Sequence, residues 1–171
     1  MTRAQLEHII RAAGSITEED RLVIIGSQAI LGAYPNAPEA LRASMEADTF
    51  PEANPEKADI IDGCIGELSP FHETYGYYAH GVTPEAAILP RNWRDRLIHL
   101  SSPATKGHTG LCLSPADLAV SKLLAGREKD LSFVETMLNE KLITPVDIQN
   151  LAHELDTADQ TRLADAMKLL S

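Results

Sequence analysis

Apolar residues recur near the start of the chain at Leu6, Ile9, Ile10 and Ala13, a helical spacing that predicts an opening helix over 4–13 with Gly14 as its stop. The pattern then tightens. Leu22-Val23-Ile24-Ile25 is a short buried run ended by Gly26, and Ser27-Gln28-Ala29-Ile30-Leu31 resumes helical character, so a strand, a tight turn and a helix follow one another. Pro35, Asn36 and Pro38 break the chain before a short helix expected over 39–43. Residues 45–50 alternate between polar and apolar, which predicts a second strand with Glu46 and Asp48 on one face. Past the breakers at 51–55 an amphipathic helix is expected over 56–68, ended by Ser69-Pro70. The aromatic stretch 75–82 and the runs 96–100 and 111–113 read as further strands, for a sheet of four or five.

From Ser114 the period changes. Ser114-Pro115-Ala116-Asp117 combines an N-cap serine, a proline at the first helical position and an acid at the third, so a helix begins there and runs to Gly126. A second is expected over 131–142. Thr144-Pro145-Val146-Asp147 repeats the capping signature for a third, and Thr157 caps a fourth that ends at Leu170. The predicted fold is α/β, a mixed sheet flanked by helices over 1–113 followed by an all-helical portion over 114–171, in one domain 1–171.

Composition narrows the function. Hydrophobic residues are 44% and charged residues 23% of 171, the balance of an ordinary globular domain. No apolar run reaches the length of a bilayer span and no secretory signal opens the chain, so the expectation is a cytoplasmic protein without a membrane partner. Cys64 and Cys112 stand far apart and outside any ligand spacing, and both are expected to be buried free thiols. A net charge of -10 argues against duplex DNA as a partner, because that binding rests on neutralising phosphates. It is compatible with a small anion held by a local basic cluster, or with a basic protein partner.

Three clusters could carry chemistry. Gly26-Ser27 lies between a buried strand and a helix start, where backbone amides can meet phosphate, although an ordinary turn capped by Ser27 fits as well. Glu46 and Asp48, two apart on a strand, can hold a magnesium ion through oxygen ligands, or form a solvated strand face. Lys122, Arg127, Lys129 and Asp130 concentrate cations near a helix end of an acidic chain, which suits an anion or simple complementation of the helix dipole. The six histidines show no zinc spacing and no serine sits in a Gly-x-Ser-x-Gly elbow.

Taken in order, the strand LVIIGSQAILGA, the run Arg42-Ala43-Ser44-Met45-Glu46-Ala47-Asp48 and the helical SPADLAVSKLLAGREKDLSFVETML resemble a bacterial nucleotidyltransferase-like family related to the AbiEii abortive-infection toxins, over residues 20–142. The resemblance implies a polymerase-β-like nucleotidyltransferase fold. It implies Gly26 and Ser27 at the nucleotide phosphates, Glu46 and Asp48 as the pair that binds Mg2+, and Lys122, Lys129 and Asp130 as the family's helical Lys and later Lys-Asp segment. Asp130 thereby joins Glu46 and Asp48 in the expected catalytic set, with Arg127 beside Lys122 and Lys129 at the phosphates. Three positions depart from the pattern. Glu46 stands where Asp is usual, Phe133 where a further acid is expected, and the third carboxylate is missing from YYAHGV and RLIHLS, which leaves His80 or His99 for that position.

The leading expectation is a magnesium-dependent transferase that moves a nucleotide from a nucleoside triphosphate to an RNA or protein acceptor, as a toxin partnered by an antitoxin. The alternative is a catalytically silent scaffold that binds a nucleotide or a protein. A third reading makes residues 144–171 a helical interaction module.

Overall fold

The computed structural model describes residues 1–170. Five strands, β1 (Arg21–Ile24), β2 (Glu46–Pro51), β3 (Tyr78–Gly81), β4 (Ile98–Leu100) and β5 (Thr109–Cys112), form one sheet in the order β3-β2-β1-β5-β4. Around it lie α1 (Arg3–Thr17), α2 (Ile30–Ala33), α3 (Ala58–Ile65), α4 (Pro70–Tyr75), α5 (Pro115–Ala125), α6 (Glu128–Asn139), α7 (Pro145–Gln149) and α8 (Thr157–Lys168). This is the predicted α/β architecture, a mixed sheet with flanking helices and a helical C-terminal third.

Strand direction decides what meets at the sheet's end. β1 and β5 are parallel, while β2 runs antiparallel to β1 and β3 parallel to β2. The carboxyl ends of β1 and β5 therefore share an edge with the amino ends of β2 and β3. In open α/β sheets that edge, where chains leave the strands toward helices, is the usual place for ligands. Ile25 extends the pairing beyond β1 by donating its amide to the Asp48 carbonyl at 3.1 Å.

The core forms because each element has one apolar side. α1 buries Leu6, Ile9, Ile10, Ala13, Gly14 and Thr17, β1 buries Leu22, Val23 and Ile24, and the core continues through Leu118, Leu123, Val134, Ile148 and Leu163 of the C-terminal helices. Arg96 ties the two portions together. Its guanidinium makes two bonds to the buried Asp117 carboxylate at 2.8 and 2.9 Å and two to Glu154, both 2.9 Å. These bonds hold Glu154 down at about 2. Among the described residues no helix is long and apolar enough to cross a membrane.

Several boundaries differ from the sequence reading, each for a local reason. Gly14 does not stop α1, which continues to Thr17 and ends on Glu18 in the left-handed region. Gly14 is there for close approach, since a Cβ would strike the His108 ring. Ser69-Pro70 does not only end a helix: Ser69 caps α4 by accepting from the His72 amide, the same Ser-Pro start that opens α5. The amphipathic helix is shorter, Ala58–Ile65, after a 3-10 turn at Pro55–Lys57. The segment 39–43 holds only a 3-10 turn, Glu39–Leu41. α6 starts at Glu128 rather than 131, because Gly126 ends α5 in the left-handed region and Arg127 is already the next cap. Asp156, not Thr157, caps α8. Cys112 is buried as expected and burial pushes its thiol up to about 12. Cys64 is exposed, because α3 buries Ala58, Ile61 and Ile65 and turns Ile60 and Cys64 to the other side.

Candidate functional site

Alternation along β2 sends Ala47 and Thr49 into the core and leaves Glu46 and Asp48 half-buried on the opposite face. Both line a cavity of about 600 Å³ together with Gly26, Ser27, His80, Lys122, Arg127, Lys129 and Asp130. Every sequence-predicted site residue thus reaches one cavity, although the three segments lie far apart in the chain. Gly26 is required by contact rather than by conformation. Its φ of -81° is open to any residue, but a Cβ would collide with the Asp48 carboxylate. The turn and the acidic pair are packed as a unit.

On the acidic wall His80 joins the pair. The β2–β3 register sets His80 directly beside Asp48, and its Nδ1 lies 2.9 Å from Asp48 Oδ1 and 3.2 Å from Glu46 Oε1. His99, the other histidine considered, lies on β4 at the far edge of the sheet. Tyr78, which the sequence reads as an aromatic that packs or lines a groove, donates its hydroxyl to Glu46 Oε2 at 2.9 Å and so turns the other carboxylate oxygen toward His80. Tyr78 is pushed up to about 12, by burial first and then by Glu46. Burial, together with the neighbouring Glu46, raises Asp48 above the usual carboxylate range. Burial also acts to raise Glu46, but its bonds to Asp48, Tyr78 and His80 outweigh it and hold it low. For His80 burial disfavours the charged ring, and Asp48 with Glu46 overcomes it and raises the imidazole.

The basic wall comes from α5 and the start of α6. Lys122 Nζ donates to Ser27 Oγ at 2.8 Å and to Asp130 Oδ1 at 3.1 Å, and lies over the Phe133 ring at 5.2 Å from its centroid. Asp130 is fully buried and also accepts from Arg127 at 2.6 and 3.2 Å. Burial would raise Asp130, but Arg127 and Lys122 hold it below the usual range. Both oxygens of the Asp130 carboxylate are thus engaged by cations of the same wall. Lys129 is exposed at the rim and makes no ion pair among the described residues. One residue from Ser27, Gln28 is fully buried and neither of its carboxamide atoms has a partner among the described residues, a cost of about 1–3 kcal/mol.

The arrangement is bipolar. One wall offers two carboxylate oxygens and an imidazole nitrogen within 4.8 Å of one another, and the other offers a hydroxyl and three cations. The first set suits a divalent cation, since carboxylates and imidazole are both metal donors. The second suits the oxygens of a phosphate chain. The apolar side chains of Leu41, Val82, Ile88 and Leu124 also line the cavity.

Comparison with known families gives a match over nearly the whole chain. The model of a family described as "Nucleotidyltransferase of unknown function (DUF6036)" matches residues 4–168. No curated protein and no solved structure matches the chain.

Proposed function

Because this chain belongs to the nucleotidyltransferase family of unknown function denoted DUF6036, we propose that it transfers a nucleotide from a nucleoside triphosphate to an RNA or protein hydroxyl. The observation that carries the reading is the convergence of Ser27, Glu46, Asp48 and Lys122 on one cavity. The acceptor oxygen forms a bond to the α-phosphorus, the bond to the leaving pyrophosphate breaks, and the acceptor's proton passes to a carboxylate of the Glu46–Asp48 pair. Ser27 and the amides of its turn hold phosphate oxygens, and Lys122, Arg127 and Lys129 offset the charge that builds on the pyrophosphate. Asp130 keeps Lys122 aimed at Ser27. Glu46 and Asp48 would hold a divalent cation, proposed as Mg2+, which would neutralise phosphate charge when bound.

The finer kinship with AbiEii toxins belongs to the same proposal. It is supported by the order of Gly26-Ser27, Glu46-x-Asp48, Lys122 and Arg127-x-Lys129-Asp130 along the chain. On that reading the protein acts on cellular RNA or protein as a toxin and has an antitoxin as partner. The test incubates the protein with each labelled nucleoside triphosphate, Mg2+ or Mn2+, and total cellular RNA or protein. Wild type should label an acceptor, and Asp48→Asn should lose most of that rate with its fold intact. If wild type labels nothing, or Asp48→Asn labels equally well, the chain is a silent nucleotide- or protein-binding scaffold.

A further inference from the structure

We infer that His80 is the third protein ligand of the cation and that it turns the site's preference from magnesium toward manganese. The inference rests on the transferase reading and deepens it. Its first support is spacing. An octahedral ion with bonds of about 2.1 Å has neighbouring ligands about 3 Å apart. His80 Nδ1 stands 2.9 Å from Asp48 Oδ1 and 3.2 Å from Glu46 Oε1. The imidazole nitrogen is thus already at the separation that two ligands of one ion adopt.

The second support is orientation. The parallel β2–β3 register fixes His80 opposite Asp48 and brings the ring to the carboxylates from the neighbouring strand. The Tyr78 hydroxyl occupies Glu46 Oε2 and leaves Oε1 for the shared face. A partner that orients a ligand in this way is the usual companion of a metal site. The third support is donor chemistry. Magnesium favours an all-oxygen shell, whereas an imidazole nitrogen suits first-row transition ions such as zinc, copper, iron and nickel. Manganese combines the octahedral, oxygen-rich habit of magnesium, which leaves positions open for triphosphate oxygens beside three protein ligands, with a transition ion's tolerance of a nitrogen donor. The place where a third carboxylate was expected therefore carries a donor that changes which ion is preferred.

The experiment titrates metal-stripped protein with Mn2+, following free ion by electron paramagnetic resonance, and measures Mg2+ by competition. Both titrations are run with and without a non-hydrolysable nucleoside triphosphate. Wild type should bind Mn2+ about tenfold or more tightly than Mg2+, a margin of the size that single ligand-shell changes produce. His80→Ala should lose most of that margin, and His80→Asp should shift the ratio toward Mg2+. Electron spin-echo modulation of bound Mn2+ should show a nitrogen coupling in wild type that is absent from His80→Asp. Circular dichroism of each variant verifies the fold. Binding without the nitrogen coupling, or a Mn2+ to Mg2+ ratio unchanged in both variants, overturns the inference and leaves the Glu46–Asp48 cation and the transferase reading standing. Failure of wild type to bind either ion, with or without nucleotide, overturns both.

Discussion

Asp130→Asn separates support from chemistry at the basic wall. Asp130 is fully buried and its carboxylate is, among the described residues, the only anion paired with Lys122, whose side chain is 12% exposed. Removing one member of a buried ion pair leaves the other charge uncompensated and costs about 3–5 kcal/mol. The bonds to Arg127 add little, because that side chain is 60% exposed and exposed pairs contribute about 0–1 kcal/mol. Lys122 retains the Ser27 hydroxyl and the Phe133 ring, which brings the expected loss to the lower end, about 3 kcal/mol. In a domain of this size that is a fall of roughly 10 °C in melting temperature. The assay is urea unfolding followed by far-ultraviolet circular dichroism, with Lys122→Met and the Lys122→Met/Asp130→Leu double variant to close the cycle. The double variant should recover much of the loss, since apolar residues can replace a buried pair at little cost. A loss under about 1 kcal/mol from Asp130→Asn, with nucleotide transfer abolished, would refute the supporting role and make Asp130 a participant in the reaction.

Gly26→Ala should destabilise by about 1–3 kcal/mol, because the new methyl overpacks against Asp48. It should also reduce the rise in melting temperature that nucleoside triphosphate with a divalent cation produces, which thermal scans with and without both components measure. Glu154 sits at about 2 in the folded protein against 4.5 ordinarily, because Arg96 and the Asn92 amide bond its charged form. A folded value below the unfolded one means that this stabilisation is complete above pH 4.5 and fades as pH falls toward 2. Glu154→Gln should lower stability at pH 7 by about 2 kcal/mol, the worth of charge-assisted hydrogen bonds. The same variant should show a shallower loss across the acid limb, and parallel acid limbs for variant and wild type would contradict the assignment.

The parts of the fold legible in the sequence are those whose signal is local. Ser114-Pro115 and Thr144-Pro145 cap helices as read, because a hydroxyl that bonds the amide three residues on acts within one turn. The same chemistry at Ser69-Pro70 has no unambiguous local signal because it follows directly on another helix, where a proline also reads as a terminator. Gly14 misled for a different reason. A glycine at the end of a periodic stretch signals a stop, but here it makes room for His108, which arrives from 94 residues further along the chain. Cys64 falls outside the buried face of α3 because residues one apart on a helix can lie on either side of the packing boundary, Ile65 within it and Cys64 beyond it.

The site divides along the same line. Spacing alone put Glu46 and Asp48 on one face, and the observed alternation of β2 follows from it. That Gly26-Ser27 would meet them depends on β2 pairing antiparallel with β1, and that Lys122 would reach Ser27 depends on α5 leaving the parallel strand β5 at the same edge. Neither contact has a local signal, so only the order of motifs hinted at it. His80 is the clearest case. YYAHGV and RLIHLS each offer a histidine on a short strand, and nothing in either segment ranks one above the other. The choice is made by sheet order, which seats β3 next to β2 and sends β4 to the opposite edge. The donor that distinguishes this site from an all-carboxylate one is therefore selected by strand topology, and a chain with the same motifs but β4 beside β2 would offer His99 to the pair instead.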